Sequence, residues 1–426
     1  METPYDLVVF GATGFTGQFV VEELGRLCDK DSSLKWAIAG RSMEKLQQTL
    51  TTATKITGIN LDDIPIIIAD VKNQESLNEM CKKAKVVLNC VGPYRFFGEP
   101  VVRAAVENGA HHIDISGEPQ FLEGMQLKFN QAAKEAGVFV IGACGFDSIP
   151  ADMGAIFTRD QFEGDLNHIE SYLAMRSGPE GGGGHYATWQ SAIHGFANAR
   201  ELIKLRKQMA LTPLPRSKDK PPKRSTLHYN NDVNSWAVPF PGSDRSVVNR
   251  TQRFNYEVRN ERPLQYQAYF RMPGLLFTLV LMFFGAIFGL LANFSFGRNL
   301  LERYPRFFSG GVFSHEGPTR KQIAGSSFSM TFIGEGYSKK VEDASEQHSE
   351  APDRRIIARV SGPEAGYVTT PICMIQAALV LLQEKDNLPK SGGVLTPGAV
   401  FAKTTLINRL QENNMKFTVM VQEPKK

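Results

Sequence analysis

Gly11, Gly14 and Gly17 fall in the stretch VVFGATGFTG (8–17), between an apolar run and a helical pattern. Asp6 to Phe10 is short, apolar and β-branched in its middle, so it reads as a buried strand. Downstream, Phe19, Val20, Leu24 and Leu27 recur at helical spacing with Glu22 and Glu23 opposite. A strand, a glycine turn and a helix in that order make an anion site, because the helix start offers unpaired N–H groups and a positive dipole end. Gly11 allows the tight turn, Gly14 the close approach of a pyrophosphate, and Gly17 the packing of helix on strand. The segment Gly11, Ala12, Thr13, Gly14, Phe15, Thr16 and Gly17 is therefore a candidate cradle for a dinucleotide. The spacing is GxxGxxG, not the commoner GxGxxG, and a purely structural glycine turn has the same letters. The strand before, the helix after and the place at the chain's start favour the cradle.

The second apolar run, KWAIAG, ends at Arg41 and Ser42. An acid at this position would hold the ribose hydroxyls of NAD(H), whereas an arginine suits a 2′-phosphate. Arg41 and Ser42 supply a guanidinium fork and a hydroxyl, which favours NADP(H) over NAD(H). The alternative is a solvated surface arginine. Asp70 closes the third run, either as acceptor for the adenine amine or as cap of the next helix. Asn89, Val91, Gly92, Pro93 and Tyr94 close the fourth, where backbone can lie against the nicotinamide ribose. His111 and His112 are consecutive on a strand, face opposite ways and cannot chelate one metal.

The elements that position these residues alternate. IPIIIAD, AKVVLNCVGPY, HHIDISGE and GVFVIGACGFDS are apolar runs of strand length, separated by helical stretches. This is the pattern of an α/β fold, a doubly wound parallel sheet with ligands at the C-terminal strand ends. After Pro150 the alternation stops, and HIESYLAMRSG, SFSMTFIGEGYS and RRIIARVSGPEAGY read as strands of a second sheet. GHYATWQSAIHGFANARELIKL and VTTPICMIQAALVLLQEK read as its helices. The division is a dinucleotide-binding unit over 1–150 and an α+β substrate- or dimerisation-type unit over 151–426, compatible with a homodimer. Residues 206–224 carry seven basic residues, one acid and four prolines, and read as an exposed loop, a solvated tether or a patch for anionic headgroups.

The composition is that of a globular chain: 426 residues, 42% hydrophobic and 22% charged, with a net charge of +4 that does not argue for nucleic acid. The five cysteines are scattered with no CxxC pair, which points to reduced thiols facing the cytosol and no structural zinc. The opening residues METPYDLVVFGATG have no basic n-region, so no signal peptide is expected. The exception is Met272 to Gly297, 26 residues without a charge, followed by an arginine- and aromatic-rich flank up to Phe313. A span needs about 20 apolar residues. If the strands on either side share one sheet, a single span would separate them, so the run inserts from one side or packs as a core helix. A core helix usually keeps a polar face and this run has none. The segment 272–313 is thus expected to attach the protein to a lipid monolayer or membrane surface.

Taken together, VVFGATGFTG, WAIAGRS, VLNCVGPYRFFGEPVV, HHIDISGEPQF and GFDSIPADMG resemble the saccharopine dehydrogenase-like oxidoreductases of the saccharopine dehydrogenase family. The likeness extends to SGPEGG, TWQSAIHGF, RTQR, GPEAGYV and GGVLTPGA. It implies a Rossmann domain followed by a mixed α/β domain, an oxidoreductase, and association with lipid droplets and other membranes on their cytosolic face. It does not imply saccharopine as substrate and carries over no catalytic residue. None of the eleven tyrosines has a lysine four residues later, which disfavours the short-chain dehydrogenase mechanism, and no GxSxG is present. Tyr94, Asp114, Glu118, Asp147, His185 and Tyr186 are the acid–base candidates at the strand ends and the GHYATWQS helix start. Each also fits a cap or a buried hydrogen-bond partner. The expected substrate is an unidentified, apolar carbonyl, imine or enoyl compound. The alternative is a nucleotide-binding scaffold or lipid-droplet structural protein without turnover.

Overall fold

A computed structural model describes residues 3–30 and 33–425. The first unit runs β1 (Tyr5–Phe10), α1 (Phe15–Lys30), β2 (Trp36–Gly40), α2 (Met43–Thr57), β3 (Ile66–Ile68) and α3 (Gln74–Lys82). It continues through β4 (Ala84–Asn89), α4 (Tyr94–Glu107), β5 (His111–Asp114), α5 (Pro119–Glu135), β6 (Phe139–Ile141) and α6 (Ile149–Gln161). The strands pair in parallel in the order β3-β2-β1-β4-β5-β6. The order in which strands are added reverses between β1 and β4, which opens a crevice at their C-terminal ends. Leu7, Val9, Ile38 and Leu88 are fully buried on one face, and Val8, Phe10, Ala37 and Val87 lie in the core on the other. Two-sided burial is why these strands lack polar alternation.

Residues beyond 150 also serve this sheet. Gly393–Leu395 adds a seventh parallel strand beside β6. The helix Thr370–Gln383, almost wholly buried, packs against α1 and β4. The nucleotide unit is therefore built from both ends of the chain.

The second sheet has seven strands, in the order Lys416–Pro424, Arg354–Pro363, Ser327–Tyr337, Asp165–Arg176, Gln265–Met272, Ser235–Pro239 and His228–Asn230. Only Asp165–Arg176 and Gln265–Met272 pair in parallel. α6 lies on one face, close enough that a Cβ at Gly154 would come 2.3 Å from the Phe332 ring. The other face is crossed by the proline- and lysine-rich segment, which after Met209 is an irregular, largely exposed loop as expected but is tied to the sheet. Arg224 donates two hydrogen bonds to Glu170, at 3.0 and 2.8 Å, and the Asp219 carbonyl accepts from Asn167 and Gln265. Glu170 is almost fully buried in the sheet, and a buried carboxylate requires such a partner.

The stretch read as one helix after Gly184 is two, α7 (Tyr186–Ala197) and α8 (Ala199–Met209). Asn198 breaks them, its Nδ2 donating to the His194 carbonyl at 3.0 Å. After α9 (Asp244–Arg259) and the strand Gln265–Met272, the uncharged run forms α10 (Leu275–Ala292), folded back on α11 (Ser295–Arg303). A Cβ at Gly297 would lie 2.2 Å from the Leu291 carbonyl oxygen, so glycine permits this close return. α10 is not a core helix. Leu276, Phe277, Leu279, Val280, Leu281, Met282, Phe283 and Phe284 are all exposed, and together they go right round the axis. Thr278 near its start is buried, and its C-terminal half docks: Phe288, Leu291 and Ala292 pack with Trp189, Ile193 and Leu301. The strands before and after the hairpin, Gln265–Met272 and Ser327–Tyr337, both pair with Asp165–Arg176, so its two ends emerge from one sheet.

Candidate dinucleotide site

The glycine turn sits at the mouth of the β1/β4 crevice. Gly11 has φ +84°, and a Cβ there would be 2.6 Å from Val91 Cγ2 and 3.1 Å from the Cys90 carbonyl carbon. At Gly17 a Cβ would fall 2.2 Å from the Gly11 carbonyl oxygen, so this glycine sets the approach of α1 to β1. Gly14 differs: its Cβ would meet only the Gly11 oxygen, at 3.1 Å, and otherwise face open space. Gln18 N–H donates to the Gly14 carbonyl at 3.0 Å, so the N–H groups of Phe15, Thr16 and Gly17 precede the first bond of the helix. No acid occupies the first turn of α1. Unpaired donors, a positive dipole end and missing side chains together fit a pyrophosphate.

Phe15 divides its roles. Its backbone lies in the cradle, while its ring stacks on His185 at 4.7 Å and meets Tyr367 edge-on at 4.8 Å. Gly317, at φ +73°, approaches the same ring so closely that a Cβ would be 2.5 Å from Phe15 Cζ. The second unit thus closes over the phosphate end through His185, Gly317 and Tyr367. Tyr367 and Gly317 were invisible to sequence reasoning, because nothing in their local pattern points back to residue 15.

At the adenine end, Arg41 is exposed beyond β2 with no side-chain partner among the described residues. Ser42 caps α2, its hydroxyl accepting from Lys45 N–H at 3.4 Å. Asp70 is half-buried beyond β3 and accepts from Lys72 N–H at 3.0 Å; the cap of α3 is Asn73, not Asp70. Arg41→Ala is expected to weaken NADPH binding by about 1.5–3 kcal/mol, the worth of a charge-assisted bond, with NADH binding nearly unchanged. Parallel fluorescence titrations with both cofactors measure this. Equal losses would remove Arg41 from the 2′-phosphate.

The nicotinamide end is braced from within. Asn89 is fully buried, accepts from Val91 N–H at 3.0 Å and contacts His112 Nε2 at 3.3 Å. The Tyr94 hydroxyl turns inward to donate to the Asn89 carbonyl at 2.8 Å, and burial raises its pKa well above the usual phenol value. It is a brace, and the backbone of Val91, Gly92 and Pro93 is what faces the crevice mouth. Glu118 does not cap its own helix. Its carboxylate accepts from the Tyr94 and Arg95 N–H groups at 3.0 and 3.2 Å, capping α4, and from the Ser191 hydroxyl of α7 at 3.0 Å.

Behind this end lies a group of buried acids. Asp114 accepts from Ser116 and Ala143 N–H groups, and burial pushes its pKa up to about 7. Asp152 accepts from Thr251 and Gly398, and burial lifts it to about 6. Burial also raises Asp147 and Asp244, and lowers the guanidinium of Arg250 to about 10. Asp244 and Arg250 come from α9 and Ser191 from α7; the sequence marks RTQR and TWQSAIHGF on these helices but assigns none of the three residues a role. His185 and Tyr186 sit instead at the start of α7, His185 capping it by accepting from Ala187 N–H at 3.2 Å.

A doubly wound sheet with a glycine turn, an exposed arginine after β2, and His185, Gly317 and Tyr367 packed on Phe15 define a dinucleotide-binding protein. Comparison with known proteins agrees. Residues 7–141 match the family model of the saccharopine dehydrogenase NADP-binding domain, which favours NADP(H) over NAD(H). The chain is 51% identical to the saccharopine dehydrogenase-like oxidoreductase of Rattus norvegicus, over 98% of both chains. It is 42% identical to a lipid droplet localized protein of Caenorhabditis elegans, over 95% of this chain and 96% of that one. Apo saccharopine dehydrogenase (L-Glu forming) from Saccharomyces cerevisiae shares the fold, with a TM-score of 0.53 at 15% identity, covering 98% of this chain and 100% of that one. The chain belongs to the saccharopine dehydrogenase-like oxidoreductases.

Proposed function

We propose that this oxidoreductase works on a lipid-droplet or other membrane surface, held from the cytosolic side by α10 and its flank, and acts on an apolar carbonyl, imine or enoyl substrate. The observation that carries the reading is an uncharged helix whose middle turns are exposed all round, attached to the same body as an intact cofactor cradle. α10 is about 27 Å long at 1.5 Å per residue, against a hydrocarbon core of about 30 Å. Insertion of its free half covers side chains worth roughly 1.5–3 kcal/mol each on leaving water. Arg298, Arg303 and Arg306 lie on the flank with Tyr304, Phe307 and Phe308, a composition suited to headgroups. The worm relative's name supports the location.

Gly11 to Gly17 hold the pyrophosphate, Arg41 the 2′-phosphate, Asp70 faces the adenine, and Val91 to Pro93 the nicotinamide ribose. The bound cofactor supplies the hydride. The protein's share is placement and exclusion of water by the roof from Gly317 and Tyr367. A second reading, binding without turnover, draws on the inward Tyr94 hydroxyl and the capping role of Glu118, which remove two acid candidates. Adding a lipid extract to the NADPH complex separates the two. The enzyme oxidises the cofactor and the fluorescence decays; tight binding with stable fluorescence assigns the scaffold.

A further inference from the structure

The face of the second sheet turned away from α6 carries positive charge that the sheet does not neutralise. Of the acids on its strands, Glu170 is held by Arg224, Glu335 by Lys425 and Glu423 by Arg355. Asp219 of the crossing segment accepts from the Tyr337 hydroxyl, at the far end of the sheet. Arg176, Arg271 and Arg359 are left, and among the described residues none of the three pairs with a carboxylate. Register brings them together. Thr331 lies opposite Tyr172 on one side and Arg359 on the other, and Tyr172 stacks on Tyr269 of the next strand. Arg176 follows Tyr172 by four residues and Arg271 follows Tyr269 by two, so both point to the same face. Arg359 and Arg271 stand three strand spacings apart, about 14 Å, with the strand of Arg176 between them. Ala174, Ser329 and Ser361 floor the ground they surround, short side chains with two hydroxyls.

The Nε atoms of Arg271 and Arg359 are shut off from solvent without a hydrogen-bond partner among the described residues. Arg271 has one bond, from Nη2 to the Val233 carbonyl at 2.7 Å. Burial, and then the charges of Arg359 and Arg176, lower its guanidinium below the usual value. Like charges held together and partly out of water are unfavourable unless an anion joins them. Arginines that merely keep a surface soluble extend their heads into water and apart from one another. The strand that carries Arg271 also runs straight into the anchor. Four residues take the chain from Arg271 to Leu275, the first residue of α10, a reach of at most about 14 Å.

We propose that Arg176, Arg271 and Arg359 form a binding site for a phosphate monoester over the floor of Ala174, Ser329 and Ser361, separate from the cofactor cradle and from the basic flank of α10. Guanidinium forks match phosphate oxygens in pairs, and the serine hydroxyls add neutral donors. The phosphate is carried either by the head of an anionic lipid at the surface that α10 enters or by a soluble metabolite. The lipid source rests on the attachment proposed above; the site itself does not.

The test compares the full chain with a double variant, Arg271→Gln with Arg359→Gln, and an NADPH titration checks that each is folded. Arg176→Gln, at an exposed position, is the second variant and covers the case in which the double one fails to fold. Calorimetric titration with glycerol 3-phosphate is run with NADPH saturating, so that the cradle is filled. Flotation uses phosphatidylcholine vesicles with and without phosphatidic acid. The site requires binding of glycerol 3-phosphate by the parent, lost in the double variant and weakened several-fold in Arg176→Gln. With a lipid source, phosphatidic acid also raises the bound fraction of the parent several-fold, and the double variant loses that gain while binding phosphatidylcholine as before. Titration without that gain assigns the site to a soluble phosphate. A parent that floats with neither vesicle yet binds glycerol 3-phosphate overturns the anchor and leaves the site standing. Glycerol 3-phosphate and phosphatidic acid responses that are the same in parent and variants overturn the site, and the gain then belongs to the flank of α10.

Discussion

Leu276→Lys, Phe283→Lys and Leu290→Lys introduced together are expected to release the protein from lipid vesicles while leaving it folded and able to bind NADPH. The three side chains are 77%, 64% and 62% exposed, so lysine there enters no protein core. In a membrane the same change removes apolar burial of roughly 1.5–3 kcal/mol per site. It also adds a charge that costs about 2.5–3.5 kcal/mol at hydrocarbon depth. Summed over three sites, the effect is large enough to abolish partitioning. Flotation on a density gradient reads the loss, and NADPH fluorescence reads the fold. The parent should stay bound in high salt, since apolar insertion is not screened as a basic patch is. A triple variant that still floats would place the attachment elsewhere. One that unfolds would mean that α10 is a folded contact and not a lipid one.

The second large effect is expected at Gly14. Gly14→Val should reduce NADPH binding below detection with little change in thermal stability. The backbone there is not in the left-handed region, and the added Cβ meets only the Gly11 oxygen at 3.1 Å. The branched side chain instead fills the open space over the start of α1, where the phosphates must approach. Gly17→Val is the contrasting control, because its Cβ would strike the Gly11 oxygen at 2.2 Å and part α1 from β1, so it should lower stability as well. Unchanged NADPH affinity in Gly14→Val would move the phosphate site away from this turn.

The first sheet was readable because its strands are buried on both faces and punctuated by glycine, proline and capping residues, so type and order follow from local pattern. The second sheet was readable only in part. Asp165–Arg176 and Ser327–Tyr337 announce themselves as long runs, but His228–Asn230 and Gly393–Leu395 are three residues each. Their strand character comes from partners far away in sequence. Gln265–Met272 and Lys416–Pro424 are polar enough on one side to pass as loops. The same limit governs the site. Gly11, Gly14, Gly17 and Arg41 carry their meaning in their neighbours. Glu118 was legible as an acid at a strand end, but which helix it caps depends on where α4 and Ser191 come to rest. The segment 206–224 looked like a tether because its charges are local, while the Glu170 that claims Arg224 is 54 residues away.

The seventh strand of the nucleotide sheet, Gly393–Leu395, also sets an order of events during synthesis. Its partner β6 ends at Ile141, so β6 waits for roughly 250 further residues, about 12–50 s at 5–20 residues per second. Throughout that interval the edge of β6 is open, and the space under helix Thr370–Gln383 is unfilled. α10 leaves the ribosome inside the same interval, about a hundred residues before that strand. On the lipid attachment proposed above, α10 is available to a lipid surface while the cofactor domain is still unfinished.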